Sequence, residues 1–292
     1  MTDNSGLITT PHAPKNASRR HYLERPVRLG AAPDDTVDSV MDIRTYPDPA
    51  ALMGAAAADF LAVAARSIDE RGRFLVALSG GATPRGMYER LAHLGCATID
   101  WSRVVFLWSD ERSVPPDHPE SNYRMAREAL LAPLRIPDSQ VYRMRGEADD
   151  IEAAAREYEA TLAHLTGVPP GHGVPLLDLV LLGLGTDGHT ASLFGDTVAL
   201  DVRDRWVVRN WVAKFTTSRL TLTFPVILGA REIRVLVAGA EKAPALAAVL
   251  TGAWDPDRLP AQRLANATGH VVWLVEEAAA PAGAGVRPRR RG

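Results

Sequence analysis

The sequence predicts an α/β domain: a doubly wound, mostly parallel sheet between two helix layers. Three observations carry that expectation. Apolar runs such as "FLVAL", "VVFLW" and "LVLLG" are continuous rather than alternating, as in strands covered on both faces. Segments with helical periodicity lie between them, so strand and helix alternate along the chain. The 292 residues, 46% hydrophobic and 23% charged, suffice for one large core.

"MDIRTYP" reads as the first strand and "PAALMGAAAADFLAVAARSIDERG" as an alanine-rich helix ending at Gly72. "RFLVALSG" is a buried strand, followed by the helix "TPRGMYERLAHLG" with Thr83 at its N-cap and Pro84 at its first position. "VVFLWSD" is another strand, and "NYRMAREALLAPL" a helix. "VYRMRGE" is expected as a short strand before the amphipathic helix "DDIEAAAREYEATLAHL". In the second half "LLDLVLLGLG" is the most apolar strand. "RWVVRNWV" and "SRLTLTF" flank a loop carrying Lys214. "EIRVLVAGA", the helix "EKAPALAAVLTG" and "HVVWLVEE" complete the alternation. One domain is expected over 41–281, with a disordered extension over 1–40 and a frayed basic tail over 282–292.

Composition excludes several classes. A formal charge of −2 gives no general nucleic-acid surface. No unbroken run of about 18 apolar residues marks a membrane span, and the N-terminus lacks the apolar region of a signal peptide. The single cysteine, Cys96, forms no internal disulfide and fits a reducing compartment, so a cytoplasmic location is expected. Lysine occurs only at 15, 214 and 242, against a total of 33 basic residues.

In doubly wound sheets ligands bind at the carboxyl ends of the strands. Three loops there carry chemistry. "SGGATP" places Ser79, Gly80, Gly81 and Thr83 between a strand and a helix start, a cradle for phosphate or simply a tight turn. "SDERSVPPDHPESNYR" brings Asp110, Glu111 and Arg112 out of a buried strand, either a solvated rim or a site, with Asn122 near a helix cap. "LLGLGTDGHTASLFGD" contains Gly183, Gly185 and Gly188 in dinucleotide-binding spacing. That pattern is a lookalike: there is little room for the helix it requires, and Asp201 precedes the next strand rather than ending it. The loop does hold Asp187 and His189 at a strand terminus, and an imidazole accepts a proton near neutrality. The histidines form no metal-ligating pair and Cys96 has no partner, so neither a metal nor an organic cofactor is expected.

Together, "ALSGGATP", "SDERSVPPDHPESNYR" and "LLGLGTDGHTASLFGD", in this order and spacing, resemble the 6-phosphogluconolactonase family, within the wider glucosamine-6-phosphate deaminase/isomerase-like fold. The similarity extends over about residues 42–278, including "SRLTLTF" and "GAEKAPAL". Three departures stand out. Gly195 replaces a usual proline, "AKFTTSRLTLT" lacks prolines common between the matching Lys214 and Arg219, and Glu276 replaces a frequent aspartate. The resemblance implies hydrolysis of 6-phospho-D-glucono-1,5-lactone without metal or cofactor. His189 is then the general base, Asp187 orients it, and Arg112 or backbone amides serve the oxyanion. Ser79, Gly80, Gly81, Thr83, Lys214 and Arg219 are expected to hold the phosphate, with Asp110, Glu111, Asn122, Gly185 and Gly188 completing the substrate site. The expected partner is a small phosphorylated sugar lactone, with no nucleic acid or membrane. Two alternatives stay open: a deaminase or isomerase using Asp110 and Glu111 as proton shuttles, and a sugar-phosphate sensor without turnover. Arg112, the Glu120-Ser121-Asn122 group and "TASLF" after the histidine favour the lactonase.

Overall fold

The computed structural model describes residues 42–281 apart from Cys96 and Thr98, together with Met1. Except for Met1, the expected extension and the basic tail lie outside the described residues. Six strands form one parallel sheet: β1 (Asp42–Tyr46), β2 (Phe74–Leu78), β3 (Val104–Trp108), β5 (Leu179–Gly183), β8 (Glu232–Val237) and β9 (His270–Glu276). Their spatial order is β1-β9-β8-β5-β2-β3. After β3 the chain builds from β5 outward through β8 and β9, the opposite direction from β2 to β3. The order therefore reverses between β2 and β5, the switch point at which loops diverge and leave a crevice.

A second sheet departs from the single sheet expected. β4 (Asp110–Arg112), β6 (Val207–Val212) and β7 (Thr217–Leu222) pair antiparallel in the order β4-β7-β6. Ser109 is the corner between the sheets. Its N–H donates to Leu78 O at 2.8 Å and its carbonyl accepts from Leu222 N at 2.8 Å.

The helices follow their capping signals. In α1 (Pro49–Arg71) Asp48 accepts a hydrogen bond from Ala51 N, and Gly72 ends the helix in the left-handed region. By length and apolar composition α1 meets the requirements of a membrane-crossing helix, but Leu52, Ala56, Phe60 and Val63 pack into the core. Burying Phe60 alone contributes about 2–3 kcal/mol. α4 (Ile151–Thr166) is likewise capped by Asp150 and Gly167.

Three local expectations are corrected. α2 (Ala82–Leu94) is capped by Gly81, not Thr83, and Pro84 is its third residue. Gly81 at φ 107 starts the helix earlier, and a missing N–H at Pro84 costs nothing within a first turn. "VYRMRGE" makes only one bridge, Phe106 to Val141, and no strand. The Tyr158 hydroxyl intercepts the ladder there, accepting from Trp108 N at 2.9 Å and donating to Tyr142 O at 3.1 Å. The helix expected at 122–134 divides into α3 (Asn122–Ala126) and a π-helical turn, Arg127–Leu131.

Candidate active site

A cavity of about 400 Å³ opens at the switch point, walled by the loops after β2, β5 and β8 and by β4 and β7. Its first wall is the start of α2. Gly80 is held so close to Asn122 that a Cβ there would meet Asn122 Oδ1 at 1.9 Å. Gly81 caps the helix with no side-chain acceptor on the first amides. Ser79, Gly81, Ala82 and Thr83 line the cavity, so uncapped N–H groups and the positive end of the helix dipole meet it.

The second wall is cationic. Arg112 and Arg219 are direct cross-strand partners in the β4–β7 ladder, and both line the cavity. Arg112 gives one nitrogen to Glu120 O at 2.6 Å, while both Nε atoms are buried with no hydrogen-bond partner. Burial first, and then the neighbouring Arg112 charge, lower the Arg219 pKa. Like charges set opposite each other without counter-ligands are unfavourable, and an anion between them removes the cost. Lys242, from the loop after β8, faces the same cavity. That turn is set by Glu276, which accepts from Gly239 N at 2.8 Å, so the glutamate that departs from the family's usual aspartate has a defined contact.

The third wall carries the base. His189 Nδ1 bonds Asp187 Oδ1, whose other oxygen accepts from Lys214 Nζ at 3.1 Å. These partners hold the Asp187 carboxyl well below the usual carboxylate range, the histidine hydrogen bond being the largest cause. An ionised Asp187 accepts a hydrogen bond from the Nδ1–H of the ring, which leaves the Nε2 lone pair for chemistry. The ring stacks on Phe194 at 4.0 Å between centroids. Gly185 makes this arrangement possible: a Cβ there would lie 2.0 Å from His189 Nδ1.

The residues expected in the site thus divide. Ser79, Gly80, Gly81, Thr83, Asp110, Arg112, Gly185, His189 and Arg219 line the cavity, and Asp187 and Lys214 support His189 from behind. Glu111, Asn122 and Gly188 do not reach it. Glu111 is turned inward, accepting from Asn122 N at 2.7 Å, Tyr123 N at 2.8 Å, Arg112 N at 2.8 Å and Ser121 Oγ at 3.1 Å. Asn122 Nδ2 donates to Asp110 O at 2.9 Å, so its side chain clamps the Gly80 loop to β4. Gly188 has φ 78 and its α-carbon faces Leu259, where a Cβ would sit 2.6 Å from Cδ2. Two residues were missed. Lys242 was signalled by its rarity and by its place after a strand and a glycine, and Ser192 only by its place within "TASLF". Ser192 Oγ donates to Asp110 Oδ2 at 2.6 Å, fixing the carboxylate at the cavity wall.

A second cleft of about 470 Å³, beside Phe224 and Trp254, contains Arg203 and Arg263 but no carboxylate or imidazole in its lining. Among the described residues no group of His, Cys, Asp and Glu is arranged to hold a metal ion.

Fold and cavity define an α/β domain that opens a cavity of cations and helix-start amides at the strand ends and presents to it an imidazole backed by a carboxylate. Residues 47–273 match the family described as glucosamine-6-phosphate isomerases/6-phosphogluconolactonase, and the chain belongs to it. It is 44% identical over 224 residues to the 6-phosphogluconolactonase of Synechocystis sp., covering 76% of this chain and 89% of that one. To the Mycobacterium leprae 6-phosphogluconolactonase it is 40% identical over 246 residues, 82% of this chain and 96% of the other. Among solved structures, 6-phosphogluconolactonase from Trypanosoma brucei superposes with a TM-score of 0.73 at 30% identity, over 82% of this chain and 97% of that one.

Proposed function

We propose that the protein hydrolyses 6-phospho-D-glucono-1,5-lactone to 6-phospho-D-gluconate, the lactone-opening step of the oxidative pentose phosphate pathway. The observation that carries this reading is the His189–Asp187 pair beside a cavity whose walls also present the arginines of β4 and β7, Lys242 and the uncapped amides of α2. The α2 amides, Lys242 and Arg219 hold the phosphate. A water between His189 Nε2 and the lactone carbonyl carbon loses a proton to the imidazole as its oxygen bonds to that carbon. Negative charge develops on the carbonyl oxygen, within reach of Arg112 or the glycine-loop amides. The carbon–ring-oxygen bond then breaks, and the imidazolium returns the proton to the departing oxygen. Ionised Asp187 stabilises the imidazolium between these steps.

The deaminase or isomerase reading has one observation in its favour: Asp110, 5% exposed, lines the cavity. Both its oxygens are engaged, however, by Ser192 Oγ at 2.6 Å and by Asn122 Nδ2 at 3.3 Å, which suits a fixed acceptor better than a mobile proton carrier. The test is lactone hydrolysis on substrate generated in situ, with spontaneous opening subtracted. Wild type accelerates the reaction, and folded His189→Ala loses at least about 10²-fold in kcat/KM. Ammonium release from glucosamine 6-phosphate without lactone hydrolysis overturns the reading.

A further inference from the structure

Phe215 sits at the turn between β6 and β7 as one of the few large apolar side chains left half in solvent, at 47% exposure. The position invites a polar residue, yet the ring makes one aromatic and two cation contacts. It meets Phe194 edge-on at 5.8 Å, and Phe194 is the ring that stacks on His189. Lys214 Nζ lies 5.5 Å and Arg219 Cζ 5.3 Å from its centroid. The same turn carries Lys214 Nζ to Asp187 Oδ2. One short turn therefore braces both members of the base: the imidazole through Phe194 and the carboxylate through Lys214. Thr216 closes this turn at φ 50 and ψ 39, a left-handed conformation that a β-branched residue adopts only under constraint. Such strain persists where surrounding contacts over-determine the backbone, as the ring contacts and the Lys214–Asp187 bridge do here.

We propose that Phe215 is a positioning residue: the hairpin tip is an aromatic strap that fixes the orientation of His189 and the reach of Lys214. The proposal rests on His189 being the base, and it goes beyond that assignment. The family resemblance offers no such role, because prolines are common in this stretch. Removing the ring exposes the outer face of Phe194 and frees the turn, so Lys214 no longer stays on Asp187. The charged groups around the imidazole are Asp187 on its own loop, Lys214 on the hairpin, and Arg112, Asp110, Arg219, Glu241 and Lys242 on the cavity wall. With Lys214 withdrawn, the Asp187 charge acts on the imidazolium with less opposition, and His189 becomes harder to deprotonate.

The experiment compares the full chain with Phe215→Ala and Phe215→Tyr. Melting temperature, kcat and KM across pH, and the His189 ring titration followed by NMR without substrate are measured for each. Phe215→Ala keeps a folded melting transition, loses about tenfold in kcat with a smaller change in KM, and shifts both the acid limb and the ring titration to higher pH. Phe215→Tyr, which keeps the ring, matches wild type. The proposal is overturned if Phe215→Ala leaves kcat and the ring titration within twofold of wild type. It is overturned equally if only KM rises, since the ring then serves Arg219 alone. Absence of wild-type hydrolysis above the spontaneous rate removes the lactonase reading, and the ring titration alone then decides the strap.

Discussion

Arg234 is a buried guanidinium and Arg219 a half-buried one whose Nε is shut off from solvent, and their surroundings are opposite. Arg234 lies near the amino-terminal starts of β8 and β9. Its side chain is 4% exposed and binds Asp59 and Glu232 carboxylates, with carbonyls of Ile233 and His270 beside it. Arg219 lies at the cavity, where its cross-strand partner is another arginine and its Nε has no acceptor. A buried charge without a partner is costly to keep, so its presence asks for a ligand that the chain itself does not supply. Arg234 closes its electrostatics within the scaffold; Arg219 closes them only when an anion arrives.

This contrast predicts a crossed pair of mutants. Arg219→Ala removes charge-assisted hydrogen bonds to the substrate anion, each worth about 1.5–3 kcal/mol, so KM rises by at least about tenfold. The same change relieves repulsion with Arg112, and the melting temperature stays level or rises. Arg234→Ala takes the buried shared cation from Asp59 and Glu232, which keep only the more exposed Arg44 and Arg66. It costs about 3 kcal/mol in denaturant unfolding, while KM of the remaining folded enzyme is unchanged. The comparison breaks if Arg219→Ala proves the more destabilising of the two, or if Arg234→Ala changes KM.

The sequence was legible where a physical rule acts over short distances. The strand–helix alternation located all six strands of the parallel sheet, with continuous apolar runs marking its central ones, and the three loops quoted from the sequence provide most of the cavity wall. What escaped depends on which way a side chain points. "DER" is a strand, and successive residues on a strand face opposite sides. Asp110 and Arg112 therefore line the cavity, whereas Glu111 between them turns into the protein. Reading these three as one charged cluster obscured an alternation already present in their spacing. Lys242 and Ser192 enter through tertiary placement, the former across β8 and the latter through a contact with Asp110 82 positions away in sequence. In the second sheet β6 and β7 were visible as strands, but β4 was read as loop, and the pairing, set by the corner at Ser109, was not visible.

Glu111 gives the smaller test of the same contrast. Its two oxygens already receive three backbone N–H groups and one hydroxyl, which leaves no capacity for a substrate. Burial raises its pKa above the ordinary carboxylate value, opposed but not outweighed by those donors. Glu111→Gln preserves shape and replaces one acceptor with an NH2 group that must face existing donors. An unsatisfied buried polar group of this kind costs about 1–3 kcal/mol, read as a lower urea midpoint at an unchanged slope. KM and kcat of the folded fraction stay within about threefold, because the altered atoms point away from the cavity. A mutant of normal stability but greatly reduced kcat places Glu111 in the chemistry after all. It then returns the Asp110–Glu111 pair to the deaminase or isomerase scheme, and a fully satisfied polar residue no longer marks scaffold in this fold.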